Sequence, residues 1–161
     1  MRLVILNNNL IQLSNNILIN EEEELSLTDY ILDNFSIFSN NNISIIGISA
    51  FTNCKSLTTI SFPKCTTISN YAFYNCASLT SVSFPNCTTI NFYAFGYCYS
   101  LTAISFPECT TIGAYAFRSC TKLTTISFPE CTSIGASAFT DCKSLTTISF
   151  PKCTNIYSDA F

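Results

Sequence analysis

Histidine and tryptophan are both missing from this 161-residue chain. Without His, a cysteine nucleophile has no imidazole base beside it. Zinc sites of the Cys/His type lose half of their ligand set, and no C-x-x-C pair replaces it. Charge is sparse as well, with seven Lys/Arg against ten Asp/Glu and a net charge of −3. A nucleic-acid binder needs a concentrated basic face, so no nucleic-acid partner is expected. No apolar run reaches the roughly 18 residues of a membrane-spanning helix, so no membrane insertion is expected either. The opening "MRLVILNNNL" holds four apolar residues before Asn7 interrupts. A secretory signal needs an apolar stretch of at least about seven. Read as written, the chain is untargeted and hence intracellular.

Cysteine is the residue in surplus. Ten occur, at Cys54, Cys65, Cys76, Cys87, Cys98, Cys109, Cys120, Cys131, Cys142 and Cys153, and every interval between them is 11. The spacing belongs to a larger pattern. Ala-Phe recurs at 50–51, 72–73, 94–95, 116–117, 138–139 and 160–161, and Phe-Pro at 62–63, 84–85, 106–107, 128–129 and 150–151. Both recur every 22 residues without insertion. Internal repeats of this length mark a solenoid, whose stacked units share one core that no single unit could build. The unit reads L-T-x-I-S-F-P-x-C-T-x-I-x-x-x-A-F-x-x-C-x-S. Leu57, Ile60 and Ile68 head its apolar columns.

These columns predict a strand-dominated α/β solenoid of 22-residue coils, with a parallel sheet on one face. Thr59–Phe62 is expected to be a short strand, Ile and Phe inward and Thr and Ser outward. Pro63 ends it, having no N–H for a ladder. "CTTI" is expected to be extended and to form a second, weaker ladder. "YAF" to Cys is expected to be one helical or 3₁₀ turn. Gly47, Gly113 and Gly135 are expected at a bend of positive φ, where glycine is cheap.

The same unit resembles the BspA-like, or treponemal-type, leucine-rich repeats. Their hallmark is similar to L-x-x-I-x-I-P, then V-x-x-I-G, then A-F-x-x-C. The resemblance covers about residues 43–161. It departs where Cys65, Cys87, Cys109, Cys131 and Cys153 replace the usual Val, and where Phe precedes the Pro. It implies a cell-surface protein of bacteria or parasitic protists, linked to adhesion and host-protein binding. No residue demonstrates that role.

An 11-residue step is half a coil, so successive cysteines fall on opposite walls of one core. Each stacks on its copy 22 residues on, about 5 Å away at strand spacing. Stacked pairs could meet disulfide distance, but columns of five leave one thiol over. The reading favoured is a small buried hydrophobe, and Ile43 in the same column supports it.

Residues 1–42 do not repeat and are expected to cap the first coil. They carry Arg2 against six acids, net −5, whereas residues 43–161 carry six Lys/Arg against four acids, net +2. Apolar runs split by Asn suggest short strands. "NEEEELSLTDYILDNF" suggests a helix capped by Asn20, with Glu21–Glu24 at its positive end and Leu27, Tyr30, Ile31 and Phe35 buried. Glu21–Glu24 as a cation or partner site is the minor alternative. At the other end the chain stops inside a sixth unit, which reads first as a fragment of a larger surface protein and second as an end whose uncovered strand edges invite self-association.

Function should sit in the columns that vary. Phe92, Tyr97 and Tyr99, with Tyr74 one coil earlier, put large rings where other coils hold small or polar residues, as binding hot spots do. Tyr93 shares its column with Tyr71 and Tyr115 and reads as structural. These residues predict a surface for an unidentified protein partner. The alternatives are a purely structural array, and a hydroxyl-rich face binding glycan or ice through Thr59, Ser81, Thr125, Thr147 and the Ser61 column. Catalysis is not expected, although Glu108 and Glu130 stack in one column. No cofactor is implied. Asn34, Asn42 and Asn86 lie in N-x-S/T sequons, which matter only in a secreted protein.

Overall fold

A strand residue flanked by small hydroxyl residues can turn its one large apolar side chain to the core and leave its neighbours in water. In the computed structural model Ile60 and Ile126 are fully buried between such neighbours, Val82 is partly buried, and Ile148 in the last coil is half-exposed. The structure describes residues 3–6, 10–13, 17–20, 37–39 and 43–161. The first three segments are β1 (Leu3–Leu6), β2 (Leu10–Leu13) and β3 (Ile17–Asn20). They form an antiparallel meander with Leu3 opposite Leu13 and Leu10 opposite Asn20. The short strands expected at this end are therefore present. The acidic helix expected after Asn20, including Glu21–Glu24, lies outside the described residues.

From Ile37 on, longer and shorter strands alternate. They are β4 (Ile37–Ser39), β5 (Ile45–Ile46), β6 (Thr59–Ser61), β7 (Thr67–Ile68), β8 (Ser81–Ser83), β9 (Thr89–Ile90), β10 (Ala103–Ser105), β11 (Thr111–Ile112), β12 (Thr125–Ser127), β13 (Ser133–Ile134), β14 (Thr147–Ser149) and β15 (Asn155–Ile156). All pair in parallel at a register of 22, for example Ile37 with Thr59 and Ile112 with Ile134. The ladder thus begins at Ile37, where Asn40 and Asn41 stand in place of Phe-Pro.

The shorter strands make the longer ladder. β5 to β15 form one six-stranded sheet, whereas the longer strands form two sheets, β4-β6-β8 and β10-β12-β14. The second ladder was expected to be the weaker, yet it runs unbroken, and threonine hydroxyls reinforce both ladders, with Thr80, Thr102, Thr124 and Thr146 each bonding a carbonyl one coil back beside the longer strands at 2.9–3.4 Å. Thr66, Thr88, Thr110, Thr132 and Thr154 each donate Oγ1–H to a carbonyl one coil back, at 3.1–3.3 Å. The backbone N–H of Thr66 reaches the same Ser44 carbonyl at 2.7 Å.

No helix occurs among the described residues. Where a helical turn was expected, tight turns follow one another: Ala50 N–H donates to Gly47 O, Thr52 to Ser49 and Cys54 to Phe51. A helix cannot propagate because two residues per coil are left-handed. One column is Ser49, Tyr71, Tyr93, Tyr115, Ser137 and Asp159, and the other is Asn53, Asn75, Tyr97, Ser119 and Asp141. This conformation lets alternate N–H groups point along the solenoid axis. Tyr93, Phe95 and Tyr97 donate to Ala114, Ala116 and Arg118 of the next coil at 3.1, 2.7 and 2.7 Å. The turn face is therefore hydrogen-bonded from coil to coil as well.

The bend glycines need correction, since no glycine has positive φ. Gly113 and Gly135 matter for close approach instead. A Cβ on Gly113 would lie 2.7 Å from the Asn91 carbonyl carbon, and one on Gly135 would meet the backbone of Gly113 and Ala114.

Two files of phenylalanine fill the core. Phe51, Phe73, Phe95, Phe117 and Phe139 stack at 5.0–5.2 Å with nearly parallel rings. Phe62, Phe84, Phe106, Phe128 and Phe150 form the facing file at 5.4–5.9 Å. Offset stacking of this kind adds to simple area burial. The last described coil is less covered, and Ile148, Ile156, Tyr157 and Phe161 are half-exposed or more. Among the described residues no helix is long and apolar enough to cross a membrane.

Candidate interaction surface

Two constellations stood out in the sequence, the thiols and the rings. All ten cysteines are thiols rather than disulfides, and all but Cys153 are buried. They are more than small hydrophobes. Cys76, Cys98, Cys120 and Cys142 each donate S–H to the Phe carbonyl of the preceding coil, at 3.0–3.3 Å. In the other column Cys65, Cys87, Cys109 and Cys131 bond the carbonyl two residues on, at 3.3–3.4 Å. In the first column the Phe carbonyl already accepts a backbone N–H, as Phe51 O does from Cys54, so the thiol is its second donor, whereas the Cys65-type thiols make a bond that the Val usual in that column could not. Burial pushes the Cys65 and Cys131 thiols up to about 11 and that of Cys109 up to about 12. Burial raises Cys76, Cys87, Cys98 and Cys120 too. A thiol held protonated is a poor nucleophile and a poor metal ligand. No group of three or more His, Cys, Asp or Glu among the described residues is placed to hold a metal ion.

Native-state labelling checks this arrangement. A small maleimide is expected to modify Cys153 first. The eight thiols from Cys54 to Cys131, all 0% exposed, should react only as fast as the array opens. Rapid modification of several thiols in native protein would show that the core is not closed.

The rings lie on the turn face, and the structure brings together the four singled out in the sequence. Tyr74 meets Tyr97 edge-on with centroids 5.2 Å apart, and Tyr97 meets Tyr99 at 6.0 Å. Phe92 reaches them through Tyr93, at 4.7 Å. Tyr93, read from sequence as structural, is the hub. It stacks on Tyr71 at 5.6 Å, Tyr115 at 4.8 Å and Tyr97 at 6.3 Å. The signal that could have found it is Gly96. Gly96 stands in a column of Thr52, Tyr74, Arg118 and Thr140, and any Cβ there would lie 2.6 Å from Tyr93 Cδ1. Glycine makes room for the ring.

Arg118 closes the cluster. Its guanidinium lies 5.4 Å over the Tyr115 ring, and Nη1 donates to the Tyr93 hydroxyl at 3.0 Å. Its Nε is covered and has no hydrogen-bond partner among the described residues. Most rings are half-buried, and Tyr99 is 41% exposed. Tyr97 holds φ 63°, in a column otherwise filled by Asn, Ser and Asp. Those short polar residues tolerate the left-handed region, whereas a bulky ring is strained there by roughly 1–3 kcal/mol.

The other candidates stay apart from this face. Glu130 is ion-paired with Lys152 of the next coil at 2.7 Å, both exposed. The strand-face hydroxyls Thr59 and Ser61 are half-buried, and Ser81, Ser83, Thr125, Thr147 and Ser149 are exposed. Asn86 is exposed and donates its amide to the Pro63 carbonyl at 2.6 Å. Asn34 and Asn42 lie outside the described residues.

Comparison with solved structures places the fold among bacterial repeat proteins. A leucine-rich repeat protein from Bacteroides ovatus is 24% identical with a TM-score of 0.70, over 91% of this chain and 41% of that one. A leucine rich cell surface protein from Faecalibacterium prausnitzii is 25% identical with a TM-score of 0.67, over 88% of this chain and 37% of that one. The leucine-rich repeat protein of T. pallidum is 25% identical with a TM-score of 0.70, over 77% of this chain and 69% of that one. The chain thus spans well under half the length of the first two. No curated protein matches it. The family model described as BspA type leucine rich repeat region matches residues 26–130 in six copies. With that match over most of its length, and with the 22-residue parallel coils above, the chain belongs to the BspA-type leucine-rich repeat family.

Proposed function

We propose that this chain is a non-enzymatic protein-interaction module whose contact surface is the aromatic cluster on the turn face. One observation carries the reading. Tyr97, a bulky ring, is held in a strained left-handed conformation in a column where Asn53 and Asn75 would be relaxed. Tyr71, Tyr93 and Tyr115 are left-handed too but share one column, whereas Tyr97 puts a ring in a column of Asn, Ser and Asp, and strain that a short residue would relieve suggests a use for the side chain. Tyrosine clusters offer large contact area with few rotatable bonds and hydroxyls at the rim. Adhesion is the finer form of the proposal. It draws support from the F. prausnitzii relative, a cell surface protein by description. Catalysis draws none, because Glu130, half of the stacked carboxylate pair, is bound to Lys152 in the open.

The test replaces rings by residues the array already uses in those columns. Tyr97→Asn with Tyr99→Thr copies Asn75 and Thr121. Relief at residue 97 should offset the lost ring contacts and leave stability within about 1 kcal/mol of the parent. Proteins captured by the parent from extracellular or cell extracts are expected to be lost with this variant. Capture of the same proteins in the same amounts would leave the array as a purely structural spacer.

A further inference from the structure

The charge around the rings narrows the class of partner. Glu108 and Glu130 lie on the segment after the longer strands, away from the rings. The turn segments 69–78, 91–100 and 113–122, which carry the whole aromatic cluster, contain no acidic residue. Arg118 and Lys122 lie within them, and Lys55 lies in the equivalent turn of the coil before. Both lysines are exposed. Asp141, in the turn of the next coil, is the acid whose charge reaches Arg118. This face is therefore locally cationic on a chain whose net charge is −3.

The rings add to that polarity. Tyr71, Tyr93 and Tyr115 cover one another's faces, with interplanar angles of 6° and 10°. What remains for a partner is ring edges and hydroxyls, and an aromatic edge carries the positive side of the quadrupole. The Tyr93 hydroxyl accepts from Arg118 Nη1, so its own proton is left to donate. Arg118 uses one of its Nη N–H groups there, and because its Nε is covered it is the remaining Nη N–H groups that can face a partner. A guanidinium with N–H groups in hand is suited to a planar carboxylate. The stacked file of Tyr71, Tyr93 and Tyr115 hides the ring faces that a glycan would stack on there.

We propose that this surface binds an acidic segment of a partner protein, with Arg118 and Lys122 meeting its carboxylates and Tyr97 and Tyr99 packing on its apolar residues. The proposal rests on the aromatic face being the contact surface, and the test separates the two. The probes are a short blocked peptide alternating Asp with Leu, its Asn-for-Asp counterpart and a heparin fragment. The readout is tyrosine fluorescence. The chain has no Trp, and six of its eight tyrosines belong to this cluster.

At low salt the Asp peptide is expected to bind about tenfold more tightly than the Asn peptide, and high salt should remove most of that advantage. The variant Arg118→Thr with Lys122→Ser uses residues already found in those columns, Thr140 and Ser144. It should bind both peptides alike. Equal binding of both peptides by the parent overturns the acidic preference. So does an advantage that survives the Arg118→Thr, Lys122→Ser change, or binding of heparin alone. If the Tyr97→Asn, Tyr99→Thr variant then loses both peptides equally, the aromatic face stands as a contact surface and only its preference for acid is wrong.

Discussion

Raising the pH from about 8.5 to 11 is expected to unfold the array. A thiol in the unfolded chain ionises near pH 8.5. In the folded array burial holds Cys65 and Cys131 protonated up to about 11 and Cys109 up to about 12. Above pH 8.5 the folded state therefore binds more protons than the unfolded state, and stability falls as pH rises. The stability due to these thiols is complete below about pH 8.5 and is lost on the way to their folded pKa values. Each forfeits about 1.4 kcal/mol per pH unit across that window. For these three the loss is on the order of 10 kcal/mol by pH 11, comparable to the whole stability of a typical domain. Tyr74 acts in the same direction, since burial and the neighbouring tyrosines raise its pKa. Circular dichroism against pH under reducing conditions measures the transition. Replacing Cys65, Cys109 and Cys131 by Val, the residue usual in that column, should move the midpoint upward. A signal unchanged to pH 10.5, or a midpoint indifferent to the Val substitutions, would count against this account of the thiols.

Phe95→Ala should be the most damaging single truncation. Phe95 stacks between Phe73 at 5.0 Å and Phe117 at 5.2 Å, and also touches Phe84 and Phe106. It is fully buried. Truncation removes the transfer energy of the ring and opens a cavity, together about 3–5 kcal/mol. In a solenoid each coil is held only by its neighbours, so a gap at Phe95 also weakens the coupling between the two sides. Denaturant unfolding is expected to show either the full loss of stability or a split into two transitions. Phe139→Ala, beside the less covered last coil, should cost less. Equal losses at the two sites would mean that the central stack has no special weight.

The core was legible in the sequence because a strict period turns residue identity into position. Ile60, Phe62, Ala72, Phe73 and both thiol columns all fell where the 22-residue alignment put them. What escaped was set by backbone hydrogen bonding, which leaves weaker marks on residue type. The left-handed columns hold Ser, Tyr, Asn and Asp, so glycine drew attention two positions away, where its small size is what matters. The shorter strands looked too brief for a long ladder because coil-to-coil backbone pairing, and the Thr66-type and Thr80-type hydroxyl bonds that accompany both ladders, cannot be seen in a pattern of apolar residues. For the candidate surface, Tyr74, Phe92, Tyr97 and Tyr99 were visible as departures from their columns. Tyr93 was masked by its resemblance to Tyr71 and Tyr115, although it is the ring that joins the others. Arg118 was missed because its bond to the Tyr93 hydroxyl joins residues 25 apart, out of step with the 22-residue columns.

The unbroken register has a consequence for how such a chain can change. Every ladder, ring file and thiol column repeats at 22 residues. A coil is therefore a cassette. Excising residues 79–100 would join Ser78 to Leu101 and seat Phe117 on Phe73, with each hydrogen-bonding column meeting its own kind. The same cut would carry away Phe92, Tyr93, Tyr97 and Tyr99. The recognition face can thus be gained, lost or moved along the stack by whole-coil duplication and deletion while the interior stays in phase, whereas a change of any other length would throw both files of phenylalanine out of step at once.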